Sequence, residues 1–206
     1  MAKLEYFYSA HSGFAYLGSA RFKQIADAAG AEIVHRPFNL NALLDAIGAP
    51  GFRARSDAHR AYFFRREIER WSELRDAPVI PMRPTHHDND YIFANCMLIA
   101  SARDGGNVDA LSHAFLEAHW REDADLSDHA RLASLAEKTG HDAAALEEAA
   151  ASPEIQATQE ANTHEAIERS VFGSPTYFVD GDMFYGQDHL DLVERALKAP
   201  FKGTWP

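Results

Sequence analysis

Val171-Phe172-Gly173-Ser174-Pro175-Thr176-Tyr177-Phe178-Val179-Asp180-Gly181-Asp182-Met183-Phe184-Tyr185-Gly186-Gln187-Asp188 reads as a loop, a strand, a two-residue turn, a second strand and a helix start. Thr176 to Val179 is β-branched and aromatic, the composition of a strand. Asp180-Gly181 is a tight-hairpin pair, because both central positions of such a turn favour φ > 0. Residues 183–185 form the return strand, Gly186 breaks it, and Asp188 is placed to cap the helix that follows. Ser174-Pro175 enters the first strand, and a proline is the residue before which a cis peptide costs least. A cis bond there would turn the N–H and C=O of Ser174 outward, free to pair with an extended ligand.

The N-terminal end supplies a partner for this hairpin. Residues 4–8 are apolar and aromatic without helical period and read as a buried strand. A loop follows, and a helix starts at Phe14 with Leu17, Ile25 and Ala28 on the same face and Phe22 beside them. Ser12 is its natural N-cap and Gly30 its C-terminal stop. Residues 31–38 form a second strand, which completes a right-handed strand-helix-strand unit.

From residue 39 to about 165 there are helices and no convincing strand. The spacing predicts helices over 41–47, from Ser56-Asp57 to Arg75, from His87 or Asp88 to Arg103, over 109–120, to Lys138, over 142–151 and over 153–169. Residues 78–84 hold three prolines and are extended. A last helix carries Leu190, Val193 and Leu197 on one face, ahead of an irregular tail from Pro200.

The run His164-x-Ala166-Ile167-Glu168-Arg169-x-Val171-Phe172-Gly173-x-Pro175-Thr176, with the Gly-Gln-Asp turn after the hairpin, resembles the 2-hydroxychromene-2-carboxylate isomerases and the kappa-class glutathione transferases. The resemblance implies an α/β thioredoxin fold interrupted by a large all-helical insertion. Residues 1–38 and 166–200 make the thioredoxin-like part, and residues 39–165 make an inserted helical subdomain packed over the sheet.

Composition limits the function. Of 206 residues, 46% are hydrophobic and 25% charged, as in an ordinary globular protein. A net charge of −11 argues against a nucleic-acid partner. No stretch approaches the ~20 apolar residues of a membrane span, and no signal-peptide pattern opens the chain, so a cytoplasmic protein is expected. Cys96 is the one cysteine, set in the apolar run 92–99, and is expected to be a buried structural thiol. No Cys-x-x-Cys pair exists, so any sulfur chemistry must arrive with a ligand. The eleven histidines show no metal-ligand spacing, and no nucleotide-binding loop is present, so neither a metal nor a nucleotide cofactor is expected.

The candidate site begins at Ser12. A serine capping the helix after the first strand stands where the N–H groups and macrodipole favour an anion. A ligand thiol held there would ionise below its ordinary ~8.5. By the resemblance, a serine here activates glutathione, in a motif like Ser-Pro-Tyr-Ser-Tyr-Leu. This chain has Ser12-Gly13-Phe14-Ala15-Tyr16-Leu17, with Gly13 at the proline position, which loosens the turn. The resemblance makes Ser12 the catalytic residue and Phe14 a contact of the cofactor; from its position alone, Ser12 could equally be no more than a cap, and His11 reads as lining the pocket rim, with an ion pair to the thiolate as its other reading.

Ser174 beside Pro175 is expected to pair through its backbone with the cysteinyl part of glutathione. Gln187 and Asp188 are expected to take the γ-glutamyl end, with His189 where the family has an arginine. The run Arg53, Arg55, Arg60, Arg65, Arg66 and Arg70 reads either as solvated charge paired with Glu67 and Glu69 or as a site for a carboxylate. Ala54 stands where relatives carry an asparagine.

The expected activity is a glutathione-dependent isomerisation of a conjugated aromatic acid by thiolate addition, rotation and elimination. The alternatives are a kappa-like transferase or peroxidase acting on other electrophiles, and a non-catalytic thioredoxin-fold glutathione- or peptide-binding protein. The expected partner is a small aromatic or electrophilic substrate, and a homodimer is the assembly the resemblance allows.

Overall fold

The apolar run near the N-terminus forms β1 (Lys3–Tyr8), one of the two inner strands of a four-stranded sheet. It pairs in parallel with β2 (Glu32–Pro37) and antiparallel with β3 (Thr176–Val179), and β3 pairs with β4 (Asp182–Tyr185). The order is therefore β2-β1-β3-β4. The computed structural model describes residues 3–203; the first two residues and the end of the tail lie outside the described residues. A strand flanked on both sides and covered on both faces needs apolar side chains in both directions, and Leu4, Phe7 and Tyr8 are all buried. Asp180 and Gly181 have φ of 50° and 87°, the conformation expected of a tight hairpin.

Between β1 and β2 the chain forms α1 (Gly13–Ala29), capped by Ser12 and closed by Gly30 at φ 59°. The insertion holds α2 (Leu40–Ala46), α3 (Asp57–Ala61), α4 (Glu67–Arg75), α5 (Ile92–Arg103), α6 (Val108–Glu122), α7 (His129–Lys138), α8 (Ala143–Ala150) and α9 (Pro153–Glu168). Residues Tyr62–Arg66 join α3 to α4 as a π-helical turn, so the expected long helix from Asp57 to Arg75 is continuous but locally widened. After the hairpin, α10 (Leu190–Lys198) returns against α1 and the sheet. Phe201 continues the packing beyond it, its ring 6.0 Å from that of Phe184.

Three local expectations are corrected. The helix expected from His87 or Asp88 starts at Ile92. Residues 84–89 instead make tight turns, with the His87 amide donating to Pro84 and the Asn89 amide to His86, and Asp90 accepts from the Ile92 amide where the helix begins. Asp188 does not cap the last helix. A short 3-10 turn, Gln187–His189, intervenes, and α10 starts after His189 without any side-chain cap. Gly13 does not loosen its turn, for the packing reason given below.

One buried cluster runs without a break from β1 and α1 into α5, α6, α7 and α8. The rings of Tyr6 and Tyr177 stack across the sheet at 5.4 Å, and Phe22 of α1 packs on both. A smaller cluster on the other face joins Phe7 and Phe178 to Phe38, Leu43, Ala166 and Val171. The helical insertion and the sheet therefore share a core, and α5 and α6 reach the residues where β1 ends.

Candidate active site

The C-terminal end of β1, the first turn of α1 and the loop before β3 converge. Ser174–Pro175 is a cis peptide, as the sequence led us to expect. The Ser9 amide donates to the Ser174 hydroxyl oxygen at 3.0 Å, and the Ser12 hydroxyl donates to the Ser174 carbonyl at 3.1 Å. Ser12 also accepts from the Ala15 amide at 3.3 Å, so it is a true helix cap. The loop is held from behind: Thr176 donates its hydroxyl to the Gly173 carbonyl, and the Gly186 amide donates to the Pro175 carbonyl. Ser12 is 6% exposed and stands at the positive end of a 17-residue helix.

Gly13 is required by its neighbour. A Cβ on Gly13 would lie 2.6 Å from Cζ2 of Trp120, whose ring covers the start of α1. Trp120 is fixed in turn by its indole N–H, which donates to the His11 carbonyl at 2.9 Å. The insertion thus supplies a flat aromatic lid over the helix start, and only a residue without a side chain fits beneath it.

His11 is buried and does not sit on an open rim. Its Nδ1 is 2.7 Å from the Ser9 hydroxyl, and its ring stacks on Tyr91 at 3.8 Å. His87 lies on its other side at 4.8 Å between ring centres. His119 Nδ1 donates to the Ala124 carbonyl, which leaves His119 Nε2 to accept from His87 Nδ1 at 2.8 Å. Burial, reinforced by His119 and Arg83, pushes His11 down to about 3, and burial also lowers His87 and His119. All three rings are neutral at pH 7.

Asn95 of α5 joins the parts. Its amide oxygen accepts from Ala10, and its amide nitrogen donates to Phe38, so one buried side chain ties the loop after β1 to the end of β2. Read alone, the sequence assigns no site role to Asn95 or Trp120, and it weighs His87 and His119 only as metal ligands and sets them aside. Asn95 alone carried a usable signal, as the one polar residue in the apolar run 92–99.

The other expected residues are placed as follows. Phe14 is half-buried, its ring 4.9 Å from that of Phe63. Gln187 is buried, and its side-chain carbonyl accepts from Arg75 Nε at 3.3 Å, so it holds the turn after β4. The Asp188 side chain is 53% exposed, with His189 Nδ1 at 3.7 Å. Much of the basic run is solvated charge: Arg65 and Arg66 pair with Glu69 and Arg70 with Glu67, whereas Arg60, paired with Asp57, is partly covered and lies over the Phe52 ring. Arg55 differs. It lies 5.5 Å over the Phe64 ring and 3.3 Å from His59 Nε2, while its own Nε and His59 Nδ1 are buried with no protein partner. Burial pushes the Tyr185 hydroxyl up, and the Arg55 charge opposes that shift, at the end of the strand that leads to Asp188. Cys96 is 2% exposed, and burial pushes its thiol up to about 11, which makes it inert.

No helix among the described residues is long and apolar enough to cross a membrane. Residues 3–198 match the DSBA-like thioredoxin domain. Two curated proteins of near-equal length are similar to the chain. The 2-hydroxychromene-2-carboxylate isomerase of Pseudomonas sp. (strain C18) is 27% identical over 97% of this chain and 92% of its own. That of Sphingobium xenophagum is 28% identical over 94% of this chain and 97% of its own. Among solved structures, a 2-hydroxychromene-2-carboxylate isomerase superposes with a TM-score of 0.81 at 26% identity, covering 95% of this chain and 94% of that one.

Proposed function

The chain belongs to the DSBA-like thioredoxin domain family, and within it we propose a glutathione-dependent isomerase acting on a conjugated aromatic acid of the 2-hydroxychromene-2-carboxylate kind. The near-full-length isomerase relatives support an enzyme of the isomerase kind. The observation that carries the finer reading is the pairing of a buried serine cap with the Ser174 loop, in a chain whose one cysteine is buried and inert. The helix terminus is built to hold an anion, yet the protein has no thiolate of its own to put there.

The residues fit a small peptide thiol in kind. Ser12 offers a hydroxyl at the anion-favouring end of α1. Asp188 offers a largely solvated carboxylate suited to an ammonium. Arg55 and His59 offer buried nitrogens without protein partners, which suit a carboxylate on glutathione or on the substrate. When bound, glutathione supplies a thiolate nucleophile that adds to the substrate double bond reversibly and leaves again, with no net redox change. Ser12 and the first turn of α1 then lower the cost of keeping that sulfur ionised. The Ser174 backbone fixes the peptide beside it. Phe14 and Phe63 give an apolar wall for an aromatic substrate.

Calorimetric titration with reduced glutathione, followed by spectral assay of chromene carboxylates with and without glutathione, tests this. Saturable binding and turnover only in the presence of glutathione are expected. Binding with no turnover of chromene acids would leave a transferase or a binding protein, and turnover without glutathione would overturn the reading.

A further inference from the structure

The segment that leads into α4 carries the opposite charge to the rest of the chain. Residues 52–70 hold six arginines against Asp57, Glu67 and Glu69, a surplus of three positive charges. The whole chain stands at −11, so the remainder carries −14. The ion pairs locate the surplus. Arg53 and Arg83 share one carboxylate, Asp88, at 3.4 and 3.2 Å. Arg65 and Arg66 share Glu69, also at 3.4 and 3.2 Å. Arg55 is met by His59 and the Phe64 ring, and by no carboxylate among the described residues. Each of these three places keeps one positive charge uncompensated, whereas Arg60 and Arg70 are matched by Asp57 and Glu67.

The surplus faces solvent beside the candidate site. The side chains of Arg53, Arg65 and Arg66 are 89%, 72% and 56% exposed. Phe63, in the π-helical turn that also holds Arg65 and Arg66, meets Phe14 at 4.9 Å, and α4 beyond it packs on α1. Phe14 lies in the first turn of α1, two residues after Ser12. The basic segment and the positive end of α1 are therefore neighbours, and their fields add. Phe52 beneath Arg60 and Arg83, and Phe64 beneath Arg55, keep those guanidiniums against the segment.

We propose that residues 52–70 are an electrostatic collector, which draws small organic anions, carboxylates above all, to the Ser12 cleft. A small anion meets only this segment. A nucleic acid or an acidic protein would also lie against the surface that carries −14, and would be repelled. The proposal adds the charge of the arriving molecule to the reading of the cleft given above, and rests on that reading only for the destination.

Two measurements on the whole chain separate the collector from the destination. Broadening of NMR signals by an anionic nitroxide, carboxy-PROXYL, and by a cationic one, aminomethyl-PROXYL, maps the surface potential without glutathione. At about 20 mM salt, residues 52–70 and Phe14 are expected to favour the anionic probe about three-fold or more. The association rate of reduced glutathione, a net anion at pH 7, is expected to fall about five- to ten-fold between about 10 and 150 mM salt. Arg53→Gln, Arg65→Gln and Arg66→Gln together should remove most of that salt dependence and of the probe preference. They should leave the dissociation rate and the thermal midpoint nearly unchanged, since exposed ion pairs add little stability. Lys3→Gln, Lys138→Gln and Lys198→Gln together, which remove three cations elsewhere, should alter neither readout. Anionic-probe enrichment without glutathione binding supports the collector and counts against glutathione alone. Equal broadening by the two probes over residues 52–70, equal effects of the two triple variants, or binding of heparin at about 150 mM salt would each overturn the proposal.

Discussion

The Ser12 hydroxyl donates its one proton to the Ser174 carbonyl, 3.1 Å away across the junction of α1 and the loop before β3. The same oxygen accepts from the Ala15 amide. Ser12 therefore serves as a helix cap, a clasp on the Ser174 loop and a candidate donor to a ligand sulfur. The proton cannot serve the last two at once, so donating to sulfur requires the hydroxyl to turn from Ser174.

Ser12→Ala separates these roles. Loss of the cap is expected to destabilise the fold by about 1 kcal/mol. The thiol of bound glutathione should ionise about one to two units higher, since a hydrogen bond to a charged group is worth about 1.5–3 kcal/mol. The ultraviolet absorbance of the thiolate, titrated with each variant, checks this. An unchanged titration alongside reduced stability would make Ser12 a cap alone.

Asp188→Ala should leave the thermal midpoint almost unmoved, within about 0.5 kcal/mol, because Asp188 caps nothing and faces solvent. Glutathione binding is expected to weaken about three- to ten-fold, the modest worth of a solvated ion pair. Turnover at saturation should be preserved, as for an interaction present equally in ground and transition states. Calorimetry and steady-state kinetics read the two effects separately, and a selective fall in kcat is the contrary result.

Gly13→Ala should destabilise the protein by about 1–3 kcal/mol, although glycine-to-alanine in a helix is normally favourable. The new methyl meets the Trp120 ring at 2.6 Å. Trp120→Leu is costly alone, as it removes a buried ring and its hydrogen bond to His11. Combined with Gly13→Ala it should cost less than the sum by about 1 kcal/mol or more in urea denaturation. Strict additivity would mean that the ring is not what excludes a side chain at position 13.

Stability should fall with acid well above the carboxylate range. An unfolded histidine titrates near 6.5. Native His11 is held down to about 3, first by burial and then by the neighbouring His119 and Arg83, and His87 and His119 are shifted in the same direction. Above pH 6.5 neither state takes the proton and stability is flat. Below it only the unfolded chain does, so stability declines towards pH 3, by about 1.4 kcal/mol per unit for each histidine involved. Urea midpoints at pH 7.5, 6.5 and 5.5 should show the break, and His87→Gln should make it shallower. Equal midpoints at 7.5 and 5.5 would show that these rings are protonated in the native state.

Local chemistry made much of the fold legible. Asp180-Gly181 dictates its turn, Ser12 and Gly30 bracket α1, and Ser174-Pro175 marks the loop before β3. The site was legible only where one segment carried the whole signal. His87, His119 and Trp120 acquire their roles from partners 32 to 109 residues away, and no local spacing encodes that. Asp188 misled for a related reason. Its position before an amphipathic helix suggests a cap, but Gly186 at φ 96° and the 3-10 turn after it put His189, not Asp188, at the cap position of α10.

The pairing of β1 with β3 also sets a schedule for synthesis. Ser9 and Ser174, which share a hydrogen bond, are 165 residues apart. At about 5–20 residues per second, a nascent chain waits roughly 8 to 35 s after making β1 before β3 exists. During that interval β1 can pair with β2 alone, and its other edge, rich in aromatic residues, stays open on the ribosome. Chains truncated before residue 176 should therefore bind holdase chaperones and aggregate, whereas a circular permutant that places the hairpin ahead of β1 would close that edge early.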